Sequence, residues 1–359
     1  MEKEWSLLPD VSAKAVELSQ RIGTTPFTAA LLLHRGIASD EEARNFLHPE
    51  KQPFYDPFLM KDMEKAVSRI VQAIQAKERI VVYGDYDVDG ITATSLLCRS
   101  LRQLGADVGY FIPHRQKDGY GLHKETLDEI IAAGADLIVT VDCGISAVEE
   151  AAAAKDKVDL IITDHHLPGK ELPKAFAVID PHRADCPYPD KNIAGVGVAF
   201  KLCQALWQKM RGRAFTGDLD IVALGTVADI VPLVGENRKI VQQGLRVLKK
   251  SKRLGIQSLL AVTELKEKEI TAGHIGFVLA PRLNAAGRLA SALRGVELLL
   301  TEDAAEAQAI AEELDAANRE RQAVEQEILQ AAEKQIESID VKKTPVLVLH
   351  GDGWHPGVI

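Results

Sequence analysis

Three short runs of aliphatic and β-branched residues constrain the fold most: "RIVVYG" (79–84), "DLIVTVD" (136–142) and "VDLIITD" (158–164). Each is apolar at successive positions rather than alternate ones, so each needs cover on both faces. Strands of that kind belong to parallel sheets with helices above and below. "DVGYFIP" (107–113) and "AFAVIDP" (175–181) read as two further strands. Helical stretches separate them: "MEKAVSRIVQAIQAK" before the first, then about 92–104, 123–133 and 146–155. Strand and helix in alternation predict an α/β fold, a parallel sheet flanked by helices.

Around this unit the 359 residues divide further. A helical lead-in is expected over 1–56, from "FTAALLLHRGI" and "SDEEARNFL", with Ser39 as the N-cap of the second helix. The main domain is expected over 57–300, and its second half, after the loop "HRADCPYPDKN", is mostly helical. A long connector helix is expected over 301–340, and at 1.5 Å per residue it spans roughly 50 Å. "TPVLVLHGDGWHPGVI" then reads as the first strand and turn of a second domain, truncated over 341–359.

The composition excludes several function classes. No apolar run approaches the roughly 20 residues of a membrane span. "MEKEWSLLPD" lacks a signal-peptide layout, and Cys98, Cys143, Cys186 and Cys203 form no CxxC. Buried free thiols and a cytoplasmic location without membrane partners are therefore expected. The net charge of −9 argues against binding nucleic acid through overall basicity. A locally positive groove remains open, because bound cations add charge that this count omits.

In parallel sheets, ligands gather beyond the carboxyl ends of the strands. There the chain carries Asp85, Asp87 and Asp89 after the first run, Asp142 after the second, and Asp164, His165 and His166 after the third. In an extended chain Asp85, Asp87 and Asp89 share one side, and three like charges so close disfavour full ionisation. A solvated acidic turn is one reading. An EF-hand loop is another, but its twelfth position holds Leu96 instead of Glu. A divalent metal site explains all three strand ends together. Carboxylates mixed with imidazoles favour Mn²⁺ or Mg²⁺ over structural zinc, and so many carboxylates suit two ions about 4 Å apart. Asp229 lies in the apolar stretch "ALGTVADIVPL" and either caps a local element or completes the metal shell.

"DYDVDG", "VDCG", "DHH" and "GTVADIVPL", in that order, resemble the four motifs of the DHH phosphoesterase superfamily. "GDYDVDGITAT", "IPHRQKDGYGL", "IAGVGVAFKL", "APRLNAAGRL" and the lead-in are similar to RecJ-type exonucleases. The resemblance implies that 57–300 is a DHH catalytic domain that hydrolyses single-stranded DNA 5′→3′ to mononucleotides with two Mn²⁺ (or Mg²⁺) ions. It implies that Asp87 binds one ion and Asp89 the other, that Asp142 bridges them, and that His165 and Asp229 complete the second site. Asp85 stands near where related phosphatases place a histidine. His166 would contact the scissile phosphate or the leaving oxygen. Arg282, Asn284 and Arg288 in "APRLNAAGRL", and Arg115 and Tyr120 in "HRQKDGYGLH", are expected to contact substrate, with solvated helix-end arginines as the alternative. The resemblance also implies DNA repair and recombination as the setting, with a helicase and a single-strand-binding protein as possible partners. Two other functions stay open: a phosphatase or phosphodiesterase for pyrophosphate, oligoribonucleotides or cyclic dinucleotides, and a non-catalytic replication scaffold.

Overall fold

The computed structural model describes residues 6–115, 118–289, 292–337, 339–340, 343–355 and 358, with the side chains of 286–289 outside that set. Five strands form one parallel sheet: β1 (Arg79–Gly84), β2 (Asp107–Phe111), β3 (Leu137–Val141), β4 (Asp159–Thr163) and β5 (Ala177–Ile179). Their spatial order is β2-β1-β3-β4-β5. The chain moves outward to β2, then returns past β1 to begin β3. That reversal leaves a crevice beyond the carboxyl ends of β1 and β3, where open α/β sheets bind ligands.

Successive strand residues feed opposite layers. Ile80, Val82, Val139, Val141 and Ile161 pack into the larger core. That core is closed by α4 (Met63–Ala76), α5 (Val88–Leu104) and the later helices. Val81, Tyr83, Ile138, Leu160 and Ile162 face the smaller core, with Leu127 and Ile130 of α6 (Lys124–Ala132) and Ala151 and Ala154 of α7 (Val148–Ala154). The two-sided apolar strands thus produce the expected covered sheet.

The lead-in has its own small core, Ala15, Leu18, Ala29, Leu32 and Ala43. These residues come from α1 (Ser12–Ile22), α2 (Pro26–Leu33) and α3 (Asp40–Leu47). Ser39 caps α3 in a reciprocal box with Glu42, as its Ser-x-x-Glu spacing predicts. The second half is helical: α8 (Gly195–Arg211), α9 (Leu219–Ala228), α10 (Gly235–Leu248) and α11 (Leu254–Val262). Next, α12 (Ala272–His274) runs through a π-helical turn at Ile275–Leu279 into α13 (Ala280–Leu289). Pro281 has no N–H for the Phe277 carbonyl four residues back, which accounts for the widened turn. α14 (Leu293–Leu300) and the 33-residue α15 (Ala304–Ile336) follow.

Two local expectations fail. α5 begins at Val88, four residues before the expected Thr92. The strand expected within 345–350 does not form; Val346 is 72% and Val348 87% exposed, and a lone strand gains too little burial to persist. All four cysteines are free and buried, and no helix among the described residues is long and apolar enough to cross a membrane.

Candidate metal centre

The crevice collects its acids from elements that end or begin there. Asp85 follows β1, Asp142 follows β3, and Asp164, His165 and His166 follow β4. The extended reading of Asp85, Asp87 and Asp89 is corrected by the early start of α5. Asp87 is the N-cap, its Oδ1 accepting from Gly90 N at 3.0 Å, and Asp89 lies in the first helical turn. The helix therefore turns Asp89 away from its two neighbours. The Asp89 carboxylate accepts Gly195 N at 2.7 Å and Val196 N at 2.8 Å, the first N–H groups of α8. A helix N-terminus is suited to an anion, and here it fixes the carboxylate's orientation. Asp229 sits at the C-terminal end of α9.

Three overlapping groups result. The ligand atoms of Asp85, Asp87 and Asp142 lie within 4.8 Å of one another, as do those of Asp89, His165 and Asp229, and those of Asp142, His165 and His166. His165 Nε2 stands 3.1 Å from Asp142 Oδ1, 3.7 Å from Asp229 Oδ2 and 3.8 Å from Asp89 Oδ2. Asp142 thus belongs to two of the groups and touches the third through His165. Its φ of 62° lies in the left-handed region, a strained backbone at the residue between the groups.

The electrostatics describe a centre short of positive charge. Burial, then the charge of Asp87, pushes the Asp85 and Asp89 carboxyls up to about 7. Burial and the Asp89 charge push Asp229 to about 7 as well. Asp142 is raised well above the ordinary carboxylate range by burial and then by Asp89. Burial lowers His165, so its imidazole is neutral, the form that ligates metals. Asp85 Oδ1, Asp142 Oδ1, Asp229 Oδ2 and His165 Nε2 are all buried without a hydrogen bond. Buried polar atoms without partners are costly. Carboxylates and a neutral imidazole, left orphaned in two adjoining groups, fit two divalent cations.

His166 behaves differently from His165. Its Nδ1 lies 2.7 Å from Asp164 Oδ1, and this bond, more than any other influence, raises the imidazole to about 9. Asp164 also accepts from the backbone of Ile145, His165 and His166, so it is satisfied within the protein and its pKa is lowered despite burial. It orients His166 and is absent from the three candidate ligand groups.

The substrate candidates scatter. Tyr120 Oη is 3.2 Å from His166 Nδ1, and the Arg115 guanidinium stacks 5.1 Å from the ring centroid of Tyr86. Both therefore flank the centre. Asn284 Oδ1 accepts from Val88 N at 3.1 Å, bracing the start of α5. Arg282 donates to Asp315 at 2.8 Å and to the Val278 carbonyl at 2.6 Å. The side chain of Arg288 lies outside the described residues.

Sequence reasoning passed over Asp164 as an orienter and Gly195 as a contact. A Cβ at Gly195 would stand 2.4 Å from Asp142 Oδ1, so only glycine lets α8 approach both Asp89 and Asp142. The "AGVG" before an apolar helix was the available signal.

Comparison with known proteins agrees with this geometry. Residues 79–226 match the DHH family, N-terminal domain. The chain is 43% identical over 356 residues to the single-stranded-DNA-specific exonuclease RecJ of Bacillus subtilis (strain 168), covering 99% of this chain and 45% of that one. The crystal structure of RecJ in complex with Mn²⁺ from Thermus thermophilus superposes with a TM-score of 0.82 at 35% identity, covering 98% of this chain and 50% of that one. A crystal structure of exonuclease RecJ bound to manganese gives 0.76 at 39% identity, covering 83% of this chain and 75% of that one. The chain spans about half the length of the curated relatives it matches. On this sequence, fold and motif agreement, the chain belongs to the RecJ family of DHH proteins.

Proposed function

We propose that this chain carries the catalytic centre of a metal-dependent exonuclease acting on single-stranded DNA from the 5′ end. The observation that carries the reading is an all-carboxylate group adjoining a carboxylate–imidazole group, with four orphaned ligand atoms between them. Asp85, Asp87 and Asp142 would hold one divalent ion, manganese as in the related crystal structures, or magnesium. Asp89, His165 and Asp229 would hold the second, with Asp142 shared. When bound, the ions act as Lewis acids toward a phosphoryl oxygen and make water a usable nucleophile near neutral pH.

The chain's own groups do the rest. Gly195 and Val196 N–H hold the Asp89 carboxylate in one orientation. Asp164 holds His166 by Nδ1 and favours the protonated ring, whose Nε2–H would donate to a phosphoryl or leaving oxygen. Tyr120 and Arg115 lie on the same side and are assigned to the incoming strand. The relatives support single-stranded DNA as substrate, because the likeness extends across the lead-in and beyond the DHH motifs shared with small-molecule phosphatases.

The test is digestion of 5′-labelled single- and double-stranded DNA with Mn²⁺, beside pyrophosphate and a cyclic dinucleotide. Mononucleotide release from the single strand is expected. Turnover of the small substrates alone would give the centre to a phosphatase, and no turnover of any would favour the scaffold.

A further inference from the structure

Two large apolar side chains near the metal centre are left almost wholly exposed, one of them at the left-handed residue that ends α9, a place where glycine is usual. Ile230 directly follows Asp229, is 88% exposed, and has a φ of 62°. A β-branched residue in the left-handed region is an outlier, and such strain persists where function requires it. Phe277 lies in the π-helical turn and is 86% exposed. The helical segment that carries it runs along the centre. At one end a Cβ on Gly276 would stand 3.9 Å from Val227 Cγ1, two residues before Asp229. Eight residues on, Asn284 braces Val88, between Asp87 and Asp89. At 1.5 Å per residue those two contacts are roughly 12 Å apart.

A single exposed apolar residue is ordinary on a protein surface. Here one is held in strained backbone next to a metal ligand, and the other sits on a π-bulge against the same helix end. We propose that Ile230 and Phe277 are a nucleobase-binding surface at the entrance to the centre, and that they contribute its preference for single strands. The inference rests on the phosphodiester reading given above. A ligand with a phosphodiester at the carboxylates and a flat apolar face one residue away is a nucleotide strand. Bases stack on exposed aromatic rings whatever their sequence. In a duplex those faces are hidden by the neighbouring base pairs, so only an unpaired strand can offer them.

The experiment compares an oligothymidylate with an abasic oligomer of equal length, which has the same phosphates and no bases. Hydrolysis with Mn²⁺ and fluorescence anisotropy are read in parallel. Phe277→Ala should raise KM and Kd for oligothymidylate about tenfold, with kcat little changed and the abasic strand unaffected. Phe277→Trp should restore both constants. Ile230→Asn, which tolerates the left-handed backbone, should raise KM while raising Tm by about 2 °C. Equal binding of both strands by the wild-type protein would overturn the surface even if hydrolysis persists. Base-dependent binding without hydrolysis would keep the surface and sink the nuclease reading. Two further results would assign the patch elsewhere and overturn the proposal. One is a dimer in sedimentation velocity that Phe277→Ala dissolves; the other is Phe277-dependent pelleting with phosphatidylcholine vesicles.

Discussion

Charge is buried in two places in this molecule, and the two are solved in opposite ways. At the junction of lead-in and main domain, Lys201 Nζ donates to the Tyr55 carbonyl, to Gln204 Oε1 and to Glu236 Oε1. Glu236 also accepts from Tyr55 N and from the Tyr188 hydroxyl. Every donor of the ammonium and both oxygens of the carboxylate are used. At the carboxyl edge of the sheet, Asp85, Asp142, Asp229 and His165 each keep an orphaned buried atom. A closed network holds a fold together. A buried cluster left open stays costly until a proton, or a cation that the chain does not itself provide, neutralises it.

The largest way to break this comparison is Glu236→Gln. It leaves the Lys201 ammonium buried without its counter-charge, and removing one partner of a buried pair costs about 3–5 kcal/mol. Urea unfolding should show the loss in the metal-free and the metal-loaded protein alike. Asp142→Asn should do the reverse. It removes one of several crowded negative charges, and asparagine accepts the left-handed backbone, so metal-free stability should rise. Hydrolysis should fall more than the roughly 100-fold that an outer-shell change can cause. Destabilisation of metal-free Asp142→Asn comparable to that of Glu236→Gln would erase the distinction between the two regions.

Metal itself is the next lever. Mn²⁺ at 100 times its Kd should stabilise the wild-type fold by about 2.7 kcal/mol. Glu236→Gln should keep that increment and Asp142→Asn should lose most of it, with EDTA reversing the effect in each case. Thermal melts across an Mn²⁺ titration read all three. The histidines sharpen the contrast within the centre. His165→Ala should weaken Mn²⁺ binding in calorimetry, whereas His166→Ala should leave affinity nearly intact and lower kcat. Asp164→Asn should copy His166→Ala at about 10–100-fold, since Asp164 is buried yet satisfied and reaches the reaction only through that ring. Equal losses of metal affinity in both histidine variants would contradict the split.

The strands were legible because their apolar residues run without alternation, and the candidate ligands Asp85, Asp142 and His165 because they lie just past strand ends, whereas Asp229 ends a helix and had no such signal. Asp87 shows where legibility stopped. Asp-x-x-Gly can continue a strand or cap a helix, and only the tertiary demand for Asp89 at the α8 N-terminus selects the helix. The grip of Gly195 and Val196 on Asp89 joins residues 106 and 107 positions apart, beyond any local pattern. Asp164 looked like one more acid at the edge. Its orienting role depends on the Ile145 N–H and the His166 ring filling its oxygens, which spacing alone does not reveal. The π-helical turn was foreshadowed by Pro281, but its consequence for Phe277 was not. The tail segment had strand-like residues but, among the described residues, no strand beside it, and propensity without pairing does not make a strand.

The smallest expected effect concerns Arg282, which the resemblance assigns to substrate phosphate. In the structure its guanidinium already bonds the largely buried Asp315 carboxylate and the Val278 carbonyl. By the rule that the two regions teach, a charge whose partners are in place is structural. Arg282→Gln should then lower stability by about 1–3 kcal/mol, the range for breaking a hydrogen bond to a charged group. It should leave the slope of log K against log salt for single-strand binding where it was. A phosphate contact would show otherwise, since each one removed flattens the slope by about one unit. A flattened slope would mean that Arg282 leaves Asp315 when substrate arrives. The open and closed solutions to buried charge would then be two states of one residue rather than properties of two regions.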